Sequence, residues 1–528
     1  MSLDTARSVA HGEQLARIAR KYPRRNALLR GRTVWSYEEF DARVDRLAAG
    51  LASLGLSGGL RLAVLTYNSL EMVETIFAGW RLGAIVVPIN FRLVAAEVRF
   101  VVEDSSPSVI VVDEALGHLL PGRDGPGAGP GRGPSVVVIP SQEDARLDLP
   151  AGSVDFHQVR RRPTGGWAAG VVEDNAPALI CYTSGTTGRP KGAVLSHFNL
   201  FMSTMNSMVL NGSGNYDEVW YSNLPLFHIG GLTGLLPQII SGGSSVIVPS
   251  LGFDPVQAVA DLEKYGITAC VFVGMQWGEI CDQIVAQDPS LKLRRVSWGA
   301  ASTPPELLEK IGRTLPGVPI FCFFGQTEMS PVTCVLSAED SDRRRGSIGR
   351  PILNVEARLV DEQGKDVRPG DVGEIVYRAP TVMQGYWNLP QATEQAFAGG
   401  WFHSGDLCRE DEDGYLYVVD RKNDMIISGG ENIYCPEVEA AIRSHPLVGD
   451  VAVIGVPHRK WGETPMAIVV PTQADRPPDP DDVIAWCKAH LASYKKPTSV
   501  VVTDALPLNA AGKVLKTALR QQYRQPAE

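Results

Sequence analysis

A chain of 528 residues is too long for a single core and predicts roughly three or four compact units. Its 44% hydrophobic and 21% charged content is ordinary for a soluble globular protein. A net charge of −9 without a long basic run excludes a nucleic-acid-binding surface, which needs clustered cations.

The eight cysteines, at 181, 270, 281, 322, 334, 408, 435 and 487, are scattered and include no C-x-x-C pair. They read as reduced, buried thiols, hence a cytoplasmic protein without a structural zinc. The N-terminal MSLDTARSVAHGEQLARIARKYP has no apolar core of the signal-peptide kind.

Residues 1–110 open with an amphipathic segment and RTVWSYEEF, where Ser36 is placed to cap a helix through Glu38, Phe40, Val44 and Leu47. LAVLTYN, AIVVPIN and SVIVVD then read as strands separated by helices, an alternation that predicts an α/β fold with a parallel sheet covered on both faces. Between Pro121 and Pro134, ten of fourteen residues are Gly or Pro, which makes a surface loop.

Next comes ICYTSGTTGRPKGAVLSHFNL, Ile180 to Leu200, where three Gly, four Thr/Ser and two cations fall between Thr183 and Gly192. Gly185 and Gly188 let the backbone approach an anion, and the hydroxyls of Thr183, Ser184, Thr186 and Thr187 donate to phosphate oxygens, with Arg189 and Lys191 at the rim. The loop is not GxxxxGK[ST], because five residues after Gly185 Pro190 stands where that pattern needs its second glycine, and Gly192 stands where it needs Ser or Thr.

From Trp220 to Phe253 there is no Asp, Glu, Lys or Arg, but Pro225, Pro237, Pro249 and several glycines interrupt the run. It reads as strand, buried helix and strand rather than a membrane span. VWYSNLP, SSVIVPS, ITACVFVG, RRVSWGA and PIFCFFG are predicted strands, with DPVQAVADLEKYG and TPPELLEKIG as helices and Thr303 as the cap of the second. From Arg343 the texture changes to short strands, a β-rich subdomain over about 343–420 that completes an N-terminal domain of residues 1–422. Residues 424–528 read as a separate α+β domain, with PEVEAAIRSH, DVAVIGV, MAIVV, DDVIAWCKAHL and SVVVTD as its elements.

TSGTTGRPKG resembles the signature of the adenylate-forming superfamily of acyl- and aryl-CoA synthetases, luciferases and peptide-synthetase adenylation domains. Four further stretches match its order, so the resemblance covers nearly the whole chain. It implies a large α/β domain followed by a small mobile C-terminal domain, acting on ATP with Mg²⁺. By that resemblance Phe324 stacks on adenine within Phe324-Gly325-Gln326-Thr327-Glu328, Thr327 meets the α-phosphate and Glu328 holds Mg²⁺. One carboxylate beside phosphate oxygens suits that cation. SWGAAS, with Gly299, Ala300 and Ala301, resembles the other wall of the adenine site, and Asp406 with Arg421 resembles the ribose clamp. Lys513 matches the lysine that bridges the substrate carboxylate and the α-phosphate.

LPLFHIGG resembles the acyl-pocket motif of CoA ligases, with His228 near the reacting carbonyl or the pantetheine entrance; a core histidine with one backbone bond is the alternative. Phe227, Gly230, Gly234, Met275, Trp277 and Met329 are candidates for the acyl wall, with Val273, Gly299 and Val332 beside them. No Asp lies between Asp217 and Asp254, so an amino-acid substrate lacks its counter-ion. Gly429 and Gly430 resemble the segment that meets the pantetheine arm of coenzyme A, and Asn423 stands at the pivot, where Lys or Asp is common. The expectation is an acid:CoA ligase for a sizeable hydrophobic acid, whether fatty, aryl or polycyclic, with ATP, Mg²⁺ and CoA as its small-molecule partners. Neither nucleic acid nor an inserted membrane segment is expected, and homo-oligomerisation stays open. Loading of a carrier protein, and a non-catalytic nucleotide-binding homologue, remain the alternatives.

Overall fold

The computed structural model describes residues 7–121, 133–141, 152–162, 170–183, 190–299, 305–341, 343–422, 424–428, 431–459, 461–491, 494–509 and 512–523. Among them the chain divides into two compact units. The larger comprises Met1–Thr183, Lys191–Glu356 and Arg378–Phe397; the second takes Ala357–Tyr377 and the described part of Ala398–Glu528.

In the larger unit the expected alternation is realised. Arg61–Leu65 lies between Ile85–Pro88 and Val109–Asp113, both parallel to it, with helices Leu70–Arg81 and Ala95–Ser105 as the crossovers. Leu62, Ala63, Val64 and Leu65 are all buried, the two-sided burial that makes such strands continuously apolar. This sheet has eight strands among the described residues and ends in antiparallel pairs, Pro177–Thr183 with Lys191–Ser196 and the latter with Gly385–Tyr386. Ser36 caps helix Tyr37–Ala52 as predicted, its Oγ accepting from the Glu39 N–H at 3.2 Å.

The second sheet of this unit has a parallel centre. Ser244–Ile247, Val219–Ser222, Ala269–Val271, Arg295–Gly299 and Ile320–Gly325 lie side by side, and Val332–Leu336 returns antiparallel. The charge-free stretch is strand Val219–Ser222, helix Ile229–Ser241 and strand Ser244–Ile247. No helix of the described residues is long and apolar enough to cross a membrane.

In the larger unit two features depart from the sequence reading. ITACVFVG keeps only Ala269–Val271 as strand, and the chain then enters a fourteen-residue helix, Gly274–Gln287, that alternation had not marked. The hairpin Asn26–Arg30 with Thr33–Ser36 joins this second sheet, pairing Leu28 with Ser245 in parallel, a contact more than two hundred residues apart in sequence. The cap at Thr303 lies outside the described residues.

The second unit contains two sheets. Glu356–Val360, Val372–Arg378, Phe402–Glu410 and Leu416–Arg421 form the expected short-stranded sheet in that order. The other is built on the antiparallel pair Val448–His458 and Gly462–Pro471, with Ser499–Val502 parallel to the latter. Helices Cys435–Arg443 and Pro480–His490 bury Val438, Ile442, Val483 and Cys487 against its face. A last helix, Lys516–Gln522, packs Leu519 on the opposite face and was not foreseen.

Candidate active site

In the larger unit the phosphate-loop candidate is framed by two antiparallel strands. Thr183 stands opposite Lys191, and its hydroxyl donates to the Lys191 carbonyl at 3.4 Å. Ser184, Gly185, Thr186, Thr187, Gly188 and Arg189 lie outside the described residues. Beyond the pair, Ser196 and Asn199 form a reciprocal cap at the start of helix His197–Asn211, and Asn199 also donates to the Pro380 carbonyl at 2.7 Å.

Strand Ile320–Gly325 delivers the second motif to its carboxyl end. A Cβ on Gly325 would lie 1.9 Å from the Pro331 carbonyl oxygen, so only glycine permits the turn whose Gln326 N–H donates to that oxygen at 2.8 Å. Phe324, Gln326 and Thr327 are half-buried and Gly325 is exposed, while Glu328 and Met329 turn inward. Glu328 is 8% exposed, and its Oε1 accepts from the Tyr386 hydroxyl at 3.0 Å. Burial, and after it the Glu328 charge, raise the Tyr386 phenol and push the Cys181 thiol up to about 12. Tyr386 in turn lies 5.0 Å, ring centroid to Nζ, from Lys191. One aromatic side chain therefore joins the base of the phosphate loop to the Glu328 carboxylate. Sequence reasoning missed it; its signal is the Gly385-Tyr386 step, which pairs with Val194 and Ala193.

A Mg²⁺ that arrives with ATP needs one or two protein carboxylates, phosphate oxygens and water supplying the rest. The residues present fit that demand, since Glu328 is an oriented carboxylate and the described residues contain no three-group metal cluster.

The acyl-wall candidates are spread over several settings. His228 is exposed, not a core residue; it caps helix Ile229–Ser241, its Nδ1 accepting from the Gly230 N–H at 3.1 Å. Phe227 is half-buried and packs edge-on against Phe91 at 5.3 Å. Gly234 abuts Trp220, where a Cβ would come within 3.0 Å of the indole. Trp277 is wholly buried, with its indole N–H donating to the Ser297 carbonyl at 3.0 Å, and Met329 has no exposed surface. Gly299 ends its strand half-buried, and a Cβ there would lie 2.6 Å from the Phe323 carbonyl oxygen, so its smallness already serves the sheet. Ala300, Ala301 and the Met275 side chain lie outside the described residues.

The second unit holds Asp406, Arg421 and Lys513. Asp406 and Arg421 are cross-strand partners, Nε to Oδ1 2.7 Å; the Asp side chain is 2% exposed and the Arg 46%. Lys513 follows Gly512, at φ +80°, in a turn closed by Asn509, whose side chain accepts from the Lys513 N–H at 2.9 Å. Its flanks are crowded, which lowers the ammonium pKa; the Arg421 charge adds to the lowering and Asp406 opposes it. The residue is exposed by surface area, so solvent screens much of that effect. The structure thus brings three of the predicted residues within electrostatic reach of one another. Gly429 and Gly430 lie outside the described residues, as does Asn423; the flanking strands Ile426–Ser428 and Glu431–Ile433 pair Ser428 with Glu431.

Residues 15–387 match the family model of the AMP-binding enzyme, and residues 437–513 that of the AMP-binding enzyme C-terminal domain. The chain belongs to the AMP-binding enzyme family. This AMP-binding enzyme is 36% identical over 524 residues to a feruloyl-CoA synthase of an Amycolatopsis species, covering 97% of this chain and 99% of the relative. It is likewise 36% identical to an indoleacetate–CoA ligase of Aromatoleum aromaticum over 92% of each chain. Among solved structures it resembles the o-succinylbenzoate CoA synthetase of Bacillus subtilis in complex with its acyl-adenylate intermediate. That match has TM-score 0.81 and 30% identity, and it covers 96% of this chain and 97% of that one. The same synthetase is also known with ATP and magnesium ion.

Proposed function

We propose that this AMP-binding enzyme is an ATP- and Mg²⁺-dependent carboxylic acid:CoA ligase whose acid is aryl. The observation that carries the reading is the end-to-end identity, 36% over 97% of the chain, with a ligase of that chemistry. In the first step a carboxylate oxygen attacks the α-phosphorus of ATP and pyrophosphate leaves. In the second the thiol of CoA, losing its proton, attacks the acyl carbonyl and AMP leaves.

Each candidate has a task in that scheme. The attacking carboxylate meets an already negative phosphate, and two unit charges at about 4 Å repel by roughly 4 kcal/mol at an effective dielectric of 20. Lys513 supplies the cation that offsets this repulsion and orients the attack. Asp406, fixed by Arg421, accepts the ribose hydroxyls. Glu328 holds the Mg²⁺, which neutralises phosphate charge when bound. Thr183 to Lys191 and Thr327 donate to phosphate oxygens, and Phe324 stacks on one face of the adenine, with the Gly299–Ala301 segment assigned to the other. His228, exposed at the start of helix Ile229–Ser241, is assigned to the acyl group, with Phe227, Gly230 and Met275 as candidates for the acyl wall. Residues 424–528 act as the domain that turns after adenylation, bringing Gly429 and Gly430 to the pantetheine arm. Eight buried cysteines, none in a disulfide, support residence in the reducing cytoplasm.

The test is a panel of hydroxycinnamic, indolyl, benzoic and fatty acids offered with ATP, Mg²⁺ and CoA. AMP, pyrophosphate and an aryl thioester are the expected products. Thioesters formed only from fatty acids would reject the aryl assignment, and no AMP from any acid would reject the ligase.

A further inference from the structure

Behind the Asp406–Arg421 pair lies a charged residue with no role so far. Glu374, on strand Val372–Arg378, is 5% exposed, and a carboxylate this buried is costly unless every oxygen is matched. Its Oε1 accepts from the Gly405 N–H at 3.0 Å. Its Oε2 meets the Lys422 Nζ at 2.9 Å and the His403 Nδ1 at 3.0 Å. Burial alone would raise its pKa; these bonds outweigh that and hold the carboxyl below its ordinary value.

The donors are not scattered. Gly405 directly precedes Asp406, and at φ +74° it makes the bend from which Asp406 emerges. Lys422 directly follows Arg421, and its own N–H donates to the Gly405 carbonyl at 2.9 Å. The Ser404 hydroxyl ties the same bend to the strand of Glu374, donating to the Ile375 carbonyl at 2.6 Å, and it accepts from the Asp406 N–H at 3.0 Å. One buried carboxylate therefore grips the residue before the aspartate and the residue after the arginine.

We propose that Glu374 is a positioning residue for nucleotide selection: by clamping Gly405 and Lys422 it fixes the Asp406–Arg421 pair at the spacing that accepts both ribose hydroxyls. The inference rests on the ribose reading of Asp406 and Arg421. Removing the clamp lets the pair drift, and hydroxyl recognition loosens before folding or acid binding does.

Discrimination between ATP and its 2′-deoxy and 3′-deoxy analogues reads this directly, as kcat/KM for acid-dependent pyrophosphate release by the full chain. A merely structural role would change the amount of active enzyme or its melting temperature, not the ratio. Wild type prefers ATP, and Asp406→Ala abolishes that preference. Glu374→Ala lowers the preference about three- to tenfold and raises KM for ATP, with KM for the acid unchanged, the scale of one lost hydrogen bond. Glu374→Gln keeps an oxygen for Gly405 and loses the charge facing Lys422, so its loss is intermediate; it decides the question if the alanine variant does not fold. Wild-type discrimination in both Glu374 variants, with Asp406→Ala defective, overturns the clamp and leaves the ribose reading standing. Wild-type discrimination in Asp406→Ala overturns the ribose reading and the clamp with it.

Discussion

In the larger unit Glu328 takes its position from a neutral partner, the Tyr386 hydroxyl at 3.0 Å, on a turn that Gly325 makes by backbone approach alone. In the second unit Asp406 is held by Arg421 at 2.7 Å, and Lys513 feels both charges from an exposed turn. The first arrangement is buried and set by backbone geometry, which salt barely touches. The second is ionic and half open to water, where the screening length is about 8 Å at physiological ionic strength. A geometry needed throughout the reaction suits the first kind, and a cation that serves one step only suits the second.

Lys513→Ala breaks the ionic side where it matters most. Loss of a positioned charge that acts on the transition state costs about 10²- to 10³-fold in rate. Acyl-AMP formation is therefore expected to fall by that much, while thioester formation from supplied acyl-AMP survives. Equal loss in both half-reactions, measured by rapid quench, would show that the lysine serves no single step. On the other side, Gly325→Ala forces a methyl group to within 1.9 Å of a carbonyl oxygen. The turn must move, at about 1–3 kcal/mol for an overpacked site. Melting temperature and KM for ATP should both worsen, and a silent variant would mean that the turn is not rigid.

Acid should separate the units further. His11 and His197 are buried in the larger unit with their Nδ1 atoms 3.2 Å apart, and Trp80 packs against both. Burial lowers both pKa values, that of His197 from 6.5 to about 4. The unfolded chain then binds the extra proton, so stability is full above pH 6.5 and is lost as pH falls toward about 4, by about 3 kcal/mol at most for His197. Asp113, raised to about 6 by burial, works in the opposite sense in the same unit, as does Asp420 in the second. The informative quantity is thus a difference: His197→Gln should flatten the acid limb of the melting curve relative to wild type, and parallel limbs would remove the imidazole from the account.

The same contrast explains what could be read in advance. Strands and turns whose burial is local were legible: Leu62 to Leu65, the Ser36 cap, and the three elements of the Trp220–Phe253 stretch each follow from pattern and neighbours. The hairpin Asn26–Ser36 was not, because its partner strand, Ser244–Ile247, lies two hundred residues away and nothing in either segment names the other. Helix Gly274–Gln287 was hidden behind the apolar run before it, and Trp277 looked like a pocket wall when it is sealed core. The motifs named Thr327, Glu328, Asp406, Arg421 and Lys513, yet they left out Tyr386 and Glu374, whose work is to hold other side chains. A residue that touches only protein carries no chemical signature of its own.

Tyr386→Phe therefore makes the finest test of the comparison. The substitution keeps the ring, and with it the packing of Lys191 at 5.0 Å, and removes only the hydroxyl that donates to Glu328. A net hydrogen bond of about 1 kcal/mol corresponds to roughly a fivefold change in an equilibrium constant. If Glu328 carries the Mg²⁺, the concentration of Mg²⁺ for half-maximal adenylation rises by that factor while KM for the acid stays put. Because the bond is buried and involves a neutral donor, the shift should be the same at low and high salt, unlike any defect introduced at Arg421. A Mg²⁺ requirement unchanged by the substitution would leave Glu328 positioned by its backbone alone, and a shift that vanished with added salt would place it among the ionic contacts instead.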